Sequence, residues 1–182
     1  MNIAGISSRY AKALVNFARE EKQQDSVYKE FRRLGQSFLE VPALLKALDN
    51  PSLSAKEKEK LIITACGGSL CDVSLRFIRL VLHHKREKYV NRMAMMYIDL
   101  YRKEKKIVIG ELTTAVPADE VIEQRMREII QRYKPVTVEF TTQIDPAIIG
   151  GFVLKIGTFR VDASLSSQLK EMKKQLLIEN RT

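Results

Sequence analysis

Tryptophan is absent from this chain of 182 residues, and cysteine and histidine occur only twice each. The two cysteines, Cys66 and Cys71, are too few for a disulfide framework. Together with His83 and His84 they lack the spacing of a zinc site, because adjacent side chains on a helix point about 100° apart. We therefore expect no metal site, and we expect both thiols to be small apolar residues near a helix break.

Long apolar runs are also lacking. The most apolar stretch, Val73 to Leu82, is interrupted by Arg76 and Arg79. It is much shorter than the roughly 18 residues that a membrane span needs. The segment Met1 to Arg9 does not have the basic-then-apolar order of a secretory signal. These features predict a cytoplasmic protein without a membrane span.

Residue groups typical of an active site are missing as well. Asp145 and Asp162 are explained by a turn and by a strand end before a helix, and residues 106–182 contain no histidine to act with them. Gly150-Gly151 is not followed by the Lys-Ser or Lys-Thr of a phosphate-binding loop, and a strand comes next. The sequence therefore predicts neither an enzyme nor a cofactor.

Basic residues are concentrated in the first part of the chain, which has a net charge of +9. Residues 1–105 contain 20 Lys/Arg and 12 Asp/Glu, a balance of +8, whereas residues 106–182 contain 11 and 10, a balance of +1. An acidic partner is expected for the first part. Nucleic-acid binding is the alternative function, although acids interleave with the basic residues from Lys85 to Lys106 and no aromatic RNA-recognition motif is present.

Helical spacing of apolar residues runs through the first hundred residues. It predicts six short amphipathic helices, of which the first has a stripe of Ile6, Tyr10, Leu14 and Phe17. Ser54 and Glu57 have the spacing of a capping box for the fourth helix. The fifth is expected from about Asp72 to His83 and the sixth from about Arg86 to Lys105. Residues 1–105 are therefore predicted to form a six-helix bundle.

The pattern changes near Lys103–Lys106. Residues 107–112 and 136–141 read as strands, residues 118–132 return to helical spacing, and residues 152–162 read as a hairpin. The last helix has an apolar stripe of Leu165, Leu169, Met172 and Leu176. Residues 106–182 are predicted to form a small mixed α/β domain, which makes the whole chain an α+β protein.

The segment 145–169 is the most informative part of the chain. Asp145-Pro146 opens a turn. Gly150-Gly151 permits a backbone conformation closed to other residues, or a close approach to another element. Gly157-Thr158, between two apolar runs, is typical of a two-residue hairpin with glycine at the first turn position. This compact module without chemistry points to a protein that binds other proteins.

Four segments together carry a resemblance to a known family: Arg9 to Leu14, Phe77 to Leu80, Thr113 to Pro117, and residues 145–169. In these segments the chain resembles the delta subunit of the bacterial rotary ATP synthase, which is related to the mitochondrial oligomycin-sensitivity-conferring subunit. The resemblance covers essentially the whole chain. It implies a non-catalytic stator subunit, monomeric within a hetero-oligomeric complex and peripheral on the cytoplasmic face of the bacterial plasma membrane.

The resemblance also implies two partners. The six-helix domain would bind the N-terminal amphipathic helix of the alpha subunit on the catalytic head, and the second domain would bind the paired b-subunit stalk. We hypothesise that helices one and five form the head-binding groove, because the fifth helix is apolar nearly all round. The residues expected there are Tyr10, Ala11, Leu14, Phe17, Phe77, Ile78 and Val81, with Arg76 and Arg79 on a basic rim. The stripe of the last helix either binds the stalk or packs on its own sheet.

Overall fold

The computed structural model describes residues 3–117, 123–124, 126–128, 130 and 136–179. The chain divides into two compact units, Met1–Glu104 and Lys105–Thr182. The α+β class is confirmed, with a helical first unit and a second unit that combines a sheet with helices. No helix in the described ranges is long and apolar enough to cross a membrane.

The described residues of the first unit form six α-helices. Their bounds are α1 (Ile3–Glu20), α2 (Gln24–Glu40), α3 (Ala43–Asp49), α4 (Ala55–Ala65), α5 (Asp72–His83) and α6 (Val90–Glu104). The sixth helix begins later than expected, because a 3₁₀ turn at Glu87–Tyr89 precedes it. Helix α6 packs against α1 and α2. Its Tyr97 is fully buried and donates a hydrogen bond to the Gln24 carbonyl at 3.1 Å.

The capping box of α4 is formed as the sequence predicts. The Glu57 N–H donates to the Ser54 hydroxyl at 3.3 Å, and the Glu57 carboxylate accepts from the Ser54 N–H at 2.7 Å. These bonds satisfy two backbone donors that a helix start would otherwise leave open, which fixes where α4 begins.

Helix α5 ends in a Schellman motif. Lys85 adopts a left-handed conformation with φ 53°. Its N–H donates to the Leu82 carbonyl at 3.0 Å, and the Arg86 N–H donates to the Val81 carbonyl at 3.0 Å. This pair of bonds satisfies two carbonyls at the end of α5 and sets the backbone of Arg86.

The second unit contains a four-stranded mixed sheet. Its elements are β1 (Ile107–Thr114), β2 (Thr137–Ile144), β3 (Phe152–Ile156), β4 (Phe159–Asp162) and the helix α7 (Leu165–Glu179). The strand order is β2-β1-β3-β4, with β1 and β2 parallel and the other two pairs antiparallel.

A parallel pair needs a crossover connection, which usually contains a helix. Residues 123–124, 126–128 and 130 are helical, as predicted for that connection. Arg127 lies over the Phe140 ring of β2 at 5.6 Å from its centroid, so this helical segment packs on the sheet. Val121, Ile122, Ile129 and Pro135, which belong to the same prediction, lie outside the described residues.

Strand register separates an apolar face of the sheet from a polar one. Leu112 pairs with Leu154, and Leu154 pairs with Val161, so these side chains share one face. Glu111 and Lys155 pair on the opposite face and form an ion pair at 3.0 Å. Leu112 and Leu154 are buried, but Val161 on the last strand is 54% exposed. The apolar face of the sheet is therefore partly exposed at β4.

Candidate partner-binding surfaces

An open apolar groove lies between α1 and α5, with a volume of about 510 Å³. We refer to it as the α1–α5 groove. Its lining comprises Arg9, Tyr10, Ala13, Leu14 and Phe17 from α1, and Arg76, Phe77 and Leu80 from α5. Each set recurs at three- and four-residue steps, so each helix presents one continuous face to the groove.

The floor and rim of the groove are made by different residues. Leu14 and Phe77 are 1% and 6% exposed and form the floor. The Tyr10 ring meets the Phe77 ring edge-on, with centroids 6.3 Å apart. Leu80 is 48% exposed and is the large apolar side chain on the α5 side that solvent reaches. The groove therefore has a buried floor and an exposed apolar side chain on its α5 side.

Most of the expected groove residues line the groove in the structure, but three of them do not. Tyr10, Leu14, Phe17, Arg76 and Phe77 line the groove as hypothesised. Ala11, Ile78 and Val81 are fully buried in the bundle core, so assigning them to a partner surface was wrong. The cause is that α5 contacts α1, α2 and α4, which cover far more of its surface than one stripe.

Three groove residues were missed by the sequence reasoning: Arg9, Ala13 and Leu80. The signal that would have found them is helical spacing. Arg9 and Ala13 are four residues apart, and Ala13 lies four residues before Phe17. Leu80 follows Phe77 by three.

The two arginines expected on a basic rim have different positions. Arg76 lines the groove and pairs with Asp72 at 2.7 Å, with both side chains more than half exposed. Arg79 instead pairs with Glu59 at 2.9 Å, which links α5 to α4. Arg79 is not among the groove residues, so its placement on the rim is corrected, and Arg9 and Arg76 are the basic groups there.

The stripe of the last helix is open to solvent. Leu165, Leu169, Met172 and Leu176 are between 46% and 60% exposed. These four side chains are therefore covered only in part within the second unit. Leu165 lies close to the turn at Gly150, because a Cβ on Gly150 would stand 2.8 Å from its Cδ1 atom.

The turns that lead into α7 have the structures expected from the sequence. The Asp145 carboxylate accepts a hydrogen bond from the Ala147 N–H at 3.0 Å, with Pro146 between them. Gly151 has φ 75°, and Gly157 has φ 57° at the first position of the β3–β4 turn. These glycines are structural and provide the positive φ that the turns require.

Asp162 acts at the start of α7. Its carboxylate accepts from the Ser164 hydroxyl at 2.6 Å and from the Ser164 N–H at 3.1 Å. These bonds hold the pKa of Asp162 below its ordinary value. The Ser164 hydroxyl in turn accepts from the Ser167 N–H at 3.3 Å and caps the helix. Ser164 is therefore the capping residue, and Asp162, at the strand end before the helix, holds Ser164 in place.

A second apolar groove crosses the exposed end of the sheet. It has a volume of about 810 Å³ and is lined by residues that include Val108, Ile130, Leu154, Ile156, Phe159 and Val161. We refer to it as the sheet groove. Phe159 is 68% exposed. This surface was not predicted from the sequence, because the alternation of apolar residues in β4 indicates a face of the strand and does not show whether that face is covered.

The cysteines lie in the first unit. Burial raises the pKa of Cys66 to about 12, and the nearby Glu30 charge adds to the effect, so this thiol stays protonated at neutral pH. Among the described residues no group of three or more His, Cys, Asp and Glu side chains is arranged to hold a metal ion.

Comparison with known proteins gives one consistent match. The family model described as "ATP synthase delta (OSCP) subunit" matches residues 6–176. The chain is 47% identical to the ATP synthase subunit delta of Phocaeicola vulgatus over 182 residues, covering 100% of this chain and 98% of the relative. It is 44% identical to the subunit delta of Parabacteroides distasonis, covering 100% of each.

The fold also resembles a solved structure. A chain in the cryo-EM structure of the Toxoplasma gondii mitochondrial ATP synthase hexamer matches with a TM-score of 0.60 and 19% identity, covering 94% of this chain and 97% of that one. At this identity the likeness concerns the fold, and it extends over both units.

Proposed function

The chain belongs to the ATP synthase delta (OSCP) subunit family, and on this premise we propose that its two units bind two different parts of the enzyme. As a member of this family it is a stator component of ATP synthase, with a structural and not a catalytic role. The first unit binds the N-terminal amphipathic helix of the alpha subunit on the catalytic head. The second unit binds the paired b-subunit stalk. One copy of the chain acts in each complex, peripheral on the cytoplasmic face of the membrane.

The mechanical reason for two binding surfaces is torque. A turning rotor drags the catalytic head with it unless the head is tied to a part that stays still. A tether of this kind needs one surface for the head and another for the stalk, and each surface must hold without moving. Rigid helices and a sheet suit this role better than loops do.

The α1–α5 groove is the observation that carries the head-binding proposal. It is apolar and open, and it lies between two helices, which is the arrangement that accepts the apolar face of an amphipathic helix. Arg9 and Arg76 border it, and residues 1–105 have a charge balance of +8. A partner helix with acidic residues beside its apolar stripe therefore matches both the groove and its rim.

The stripe of α7 supports the stalk proposal. Four large apolar side chains stand on one side of a helix and are about half exposed. A contiguous exposed apolar surface is typical of a protein interface. The b-subunit stalk is a pair of helices, and a helix with a heptad-like stripe can join such a pair by knobs-into-holes packing.

Leu80→Asp tests the head-binding proposal. Leu80 is half exposed, so a charge there blocks the groove without entering the core. The probe is a synthetic peptide of the alpha subunit's N-terminal residues, titrated by calorimetry at about 0.3 M salt, where long-range attraction is screened. The expected result is a loss of affinity of roughly 30-fold or more, as for a central interface residue.

The matched control for that test is Leu39→Asp, which adds the same charge at a 72% exposed leucine outside the groove. It should bind like the wild type. Equal affinities of the Leu80→Asp, Leu39→Asp and wild-type chains would contradict the proposal. Leu14 and Phe77 are unsuitable for this test, since both are buried and a charge there would disturb folding.

Leu169→Asp tests the stalk proposal, with Gln168→Asp as the control. Both positions are exposed on α7, and each change adds one negative charge, but only Leu169 belongs to the stripe. Binding to a soluble fragment of the b-subunit pair should weaken by about 10-fold or more in Leu169→Asp alone. A loss in Phe159→Asp without a loss in Leu169→Asp would contradict the α7 assignment and move the stalk to the sheet groove.

A further inference from the structure

We infer that Arg86 is a positioning residue for the α1–α5 groove: it fixes the ring of Tyr10, which forms part of the groove wall, in the orientation that the partner helix meets. Arg86 itself is not among the residues that line the groove. Its effect on binding therefore passes through Tyr10. The inference rests on the proposed function of the groove as a helix-binding site.

The position of Arg86 is set by the backbone. The Schellman motif at the end of α5 places Lys85 in the left-handed conformation and ties the Arg86 N–H to the Val81 carbonyl. Val81 is fully buried, so this carbonyl belongs to a well-packed part of α5. Arg86 thus starts from a fixed point, although it lies in the connection between two helices.

The side chain of Arg86 makes two contacts with the same residue on α1. Its Nη1 atom donates a hydrogen bond to the Tyr10 hydroxyl at 2.9 Å. Its guanidinium carbon lies 5.2 Å from the centroid of the Tyr10 ring, within the range of a cation–π contact. One contact fixes the end of the Tyr10 side chain, and the other fixes the plane of the ring.

The Phe77 ring is the second support of Tyr10. The two ring centroids lie 6.3 Å apart at an interplanar angle of 70°, an edge-to-face arrangement. Phe77 in turn contacts Phe31, which is buried, with centroids 5.9 Å apart. Tyr10 is therefore held between a cation outside the groove and an aromatic ring on the groove floor.

The consequence for binding is preorganisation. Without Arg86, Tyr10 keeps its Phe77 contact but loses the bond to its hydroxyl and the cation over its ring, so the side chain gains rotational freedom. A partner helix must then order Tyr10 when it binds, and ordering one side chain lowers the affinity by roughly 3- to 10-fold. The effect is much smaller than that of a charge placed inside the groove.

Arg79 supplies the matched control. It lies on α5, as three of the groove residues do, and bears the same charge as Arg86. It pairs with Glu59 and does not line the groove. Arg79→Met and Arg86→Met remove the same charge from this side of the bundle. At about 0.3 M salt the loss of a distant charge changes affinity little, so a difference between the two variants reports on Tyr10.

The experiment is a double-mutant cycle on the full chain with the alpha-subunit peptide as the probe. Arg86→Met should weaken binding by roughly 3- to 10-fold. Tyr10→Phe loses only the hydrogen bond of the hydroxyl and keeps the ring, so it should weaken binding less. The double variant should be no weaker than Arg86→Met, because Arg86→Met has already removed the contact that Tyr10→Phe removes. Arg79→Met should bind like the wild type. Arg86→Lys, which keeps a cation near the ring, should recover most of the affinity.

A spectroscopic readout separates positioning from general stability. The ring-proton signals of Tyr10, assigned by comparison with Tyr10→Phe, should shift in Arg86→Met and stay in place in Arg79→Met. Melting temperatures identify any variant that loses affinity only because it is less stable. If Arg86→Met is such a variant, the loss in Tyr10→Phe together with the recovery in Arg86→Lys carries the test.

Two results would overturn the inference alone while the head-binding proposal stands: losses that add fully in the double variant, or unchanged affinity in Arg86→Met when Leu80→Asp does lose binding. Failure of the wild-type chain to bind the peptide would instead overturn the proposed function of the groove, and this inference with it.

Discussion

A buried ion pair joins α4 to the 3₁₀ turn before α6 in the first unit. Lys58 on α4 donates to the Glu87 carboxylate at 2.5 Å, and the two side chains are 6% and 16% exposed. Burial opposes ionisation of Glu87, but the hydrogen bond and charge of Lys58, helped by a backbone bond and by Lys85, keep its pKa below the ordinary value of 4.5. The carboxylate therefore depends on its partner, since an unpaired buried charge is strongly destabilising.

Removal of Lys58 should reveal that dependence. Lys58→Met leaves the Glu87 charge buried and unpaired, and we expect it to lower the free energy of unfolding at pH 7 by about 2 to 3 kcal/mol, less than for a fully buried pair because Glu87 is partly exposed. Lys56→Met, at an exposed position of the same helix, is the control. Urea unfolding measures both.

The same pair predicts a pH dependence. Because the folded-state pKa of Glu87 is lowered, its contribution to stability is complete above about pH 4.5 and is lost as the pH falls through the folded-state pKa. The difference between wild type and Lys58→Met should therefore shrink as the pH is lowered from about 5 towards 3. A difference that stays constant over this range would mean that Glu87 is not the group responsible.

At the level of elements, the β3–β4 hairpin and the turn before it contain two glycines with positive φ in different surroundings. A Cβ added to Gly151 would stand 2.2 Å from the carbonyl oxygen of Ala163. A Cβ on Gly157 would meet nothing within 4 Å. Gly151 is required because its φ is positive and because a side chain would not fit there. Gly157 is required only because its φ is positive.

This pair separates backbone strain from steric contact. Gly157→Ala should destabilise the second unit by about 1 kcal/mol, the usual cost of a left-handed alanine. Gly151→Ala should cost more than about 3 kcal/mol, because the Ala163 backbone must move as well. Thermal unfolding followed by circular dichroism measures both. Equal losses would show that the approach of Ala163 is relieved at little cost.

The helices and strands were largely predictable because their signals are local. The capping box at Ser54, the glycine turns and the apolar spacing of α1 each depend on residues a few positions apart, and each element formed as expected. The wrong predictions concern burial, which depends on contacts between residues far apart in the sequence. Periodicity assigns Ile78 and Val81 to apolar faces of α5, but only the packed helices decide that both are buried.

The same limit applies to the whole molecule. The sequence predicted the strands and a small mixed α/β domain but not the order β2-β1-β3-β4, because that order follows from pairings between residues far apart in the chain. The groove position was found through α1 and α5 with five of its eight lining residues, and the sheet groove was missed. Whether an apolar surface stays exposed depends on which other elements pack over it. Those elements are far away in the sequence, so local sequence patterns do not show it.

The stator role predicts a specific defect of the whole enzyme. In ATP synthase reconstituted into vesicles, a weakened head contact should leave ATP hydrolysis within about twofold of normal and lower ATP-driven proton pumping by about 5-fold or more. This holds when the subunit concentration is below the dissociation constant of the variant. The reason is that hydrolysis needs only the head and the rotor, whereas pumping needs the head to be held still. Leu80→Asp is the variant, and Leu39→Asp is the control.

Adding excess variant subunit tests whether the loss of proton pumping comes from weaker binding to the head. If Leu80→Asp acts through affinity alone, a large excess of the variant subunit should restore proton pumping, because occupancy of the head rises with concentration. Phosphate release and quenching of a pH-sensitive dye measure hydrolysis and pumping on the same vesicles. Pumping that stays normal without excess subunit, or that falls in step with hydrolysis, would mean that the α1–α5 groove does not transmit the torque.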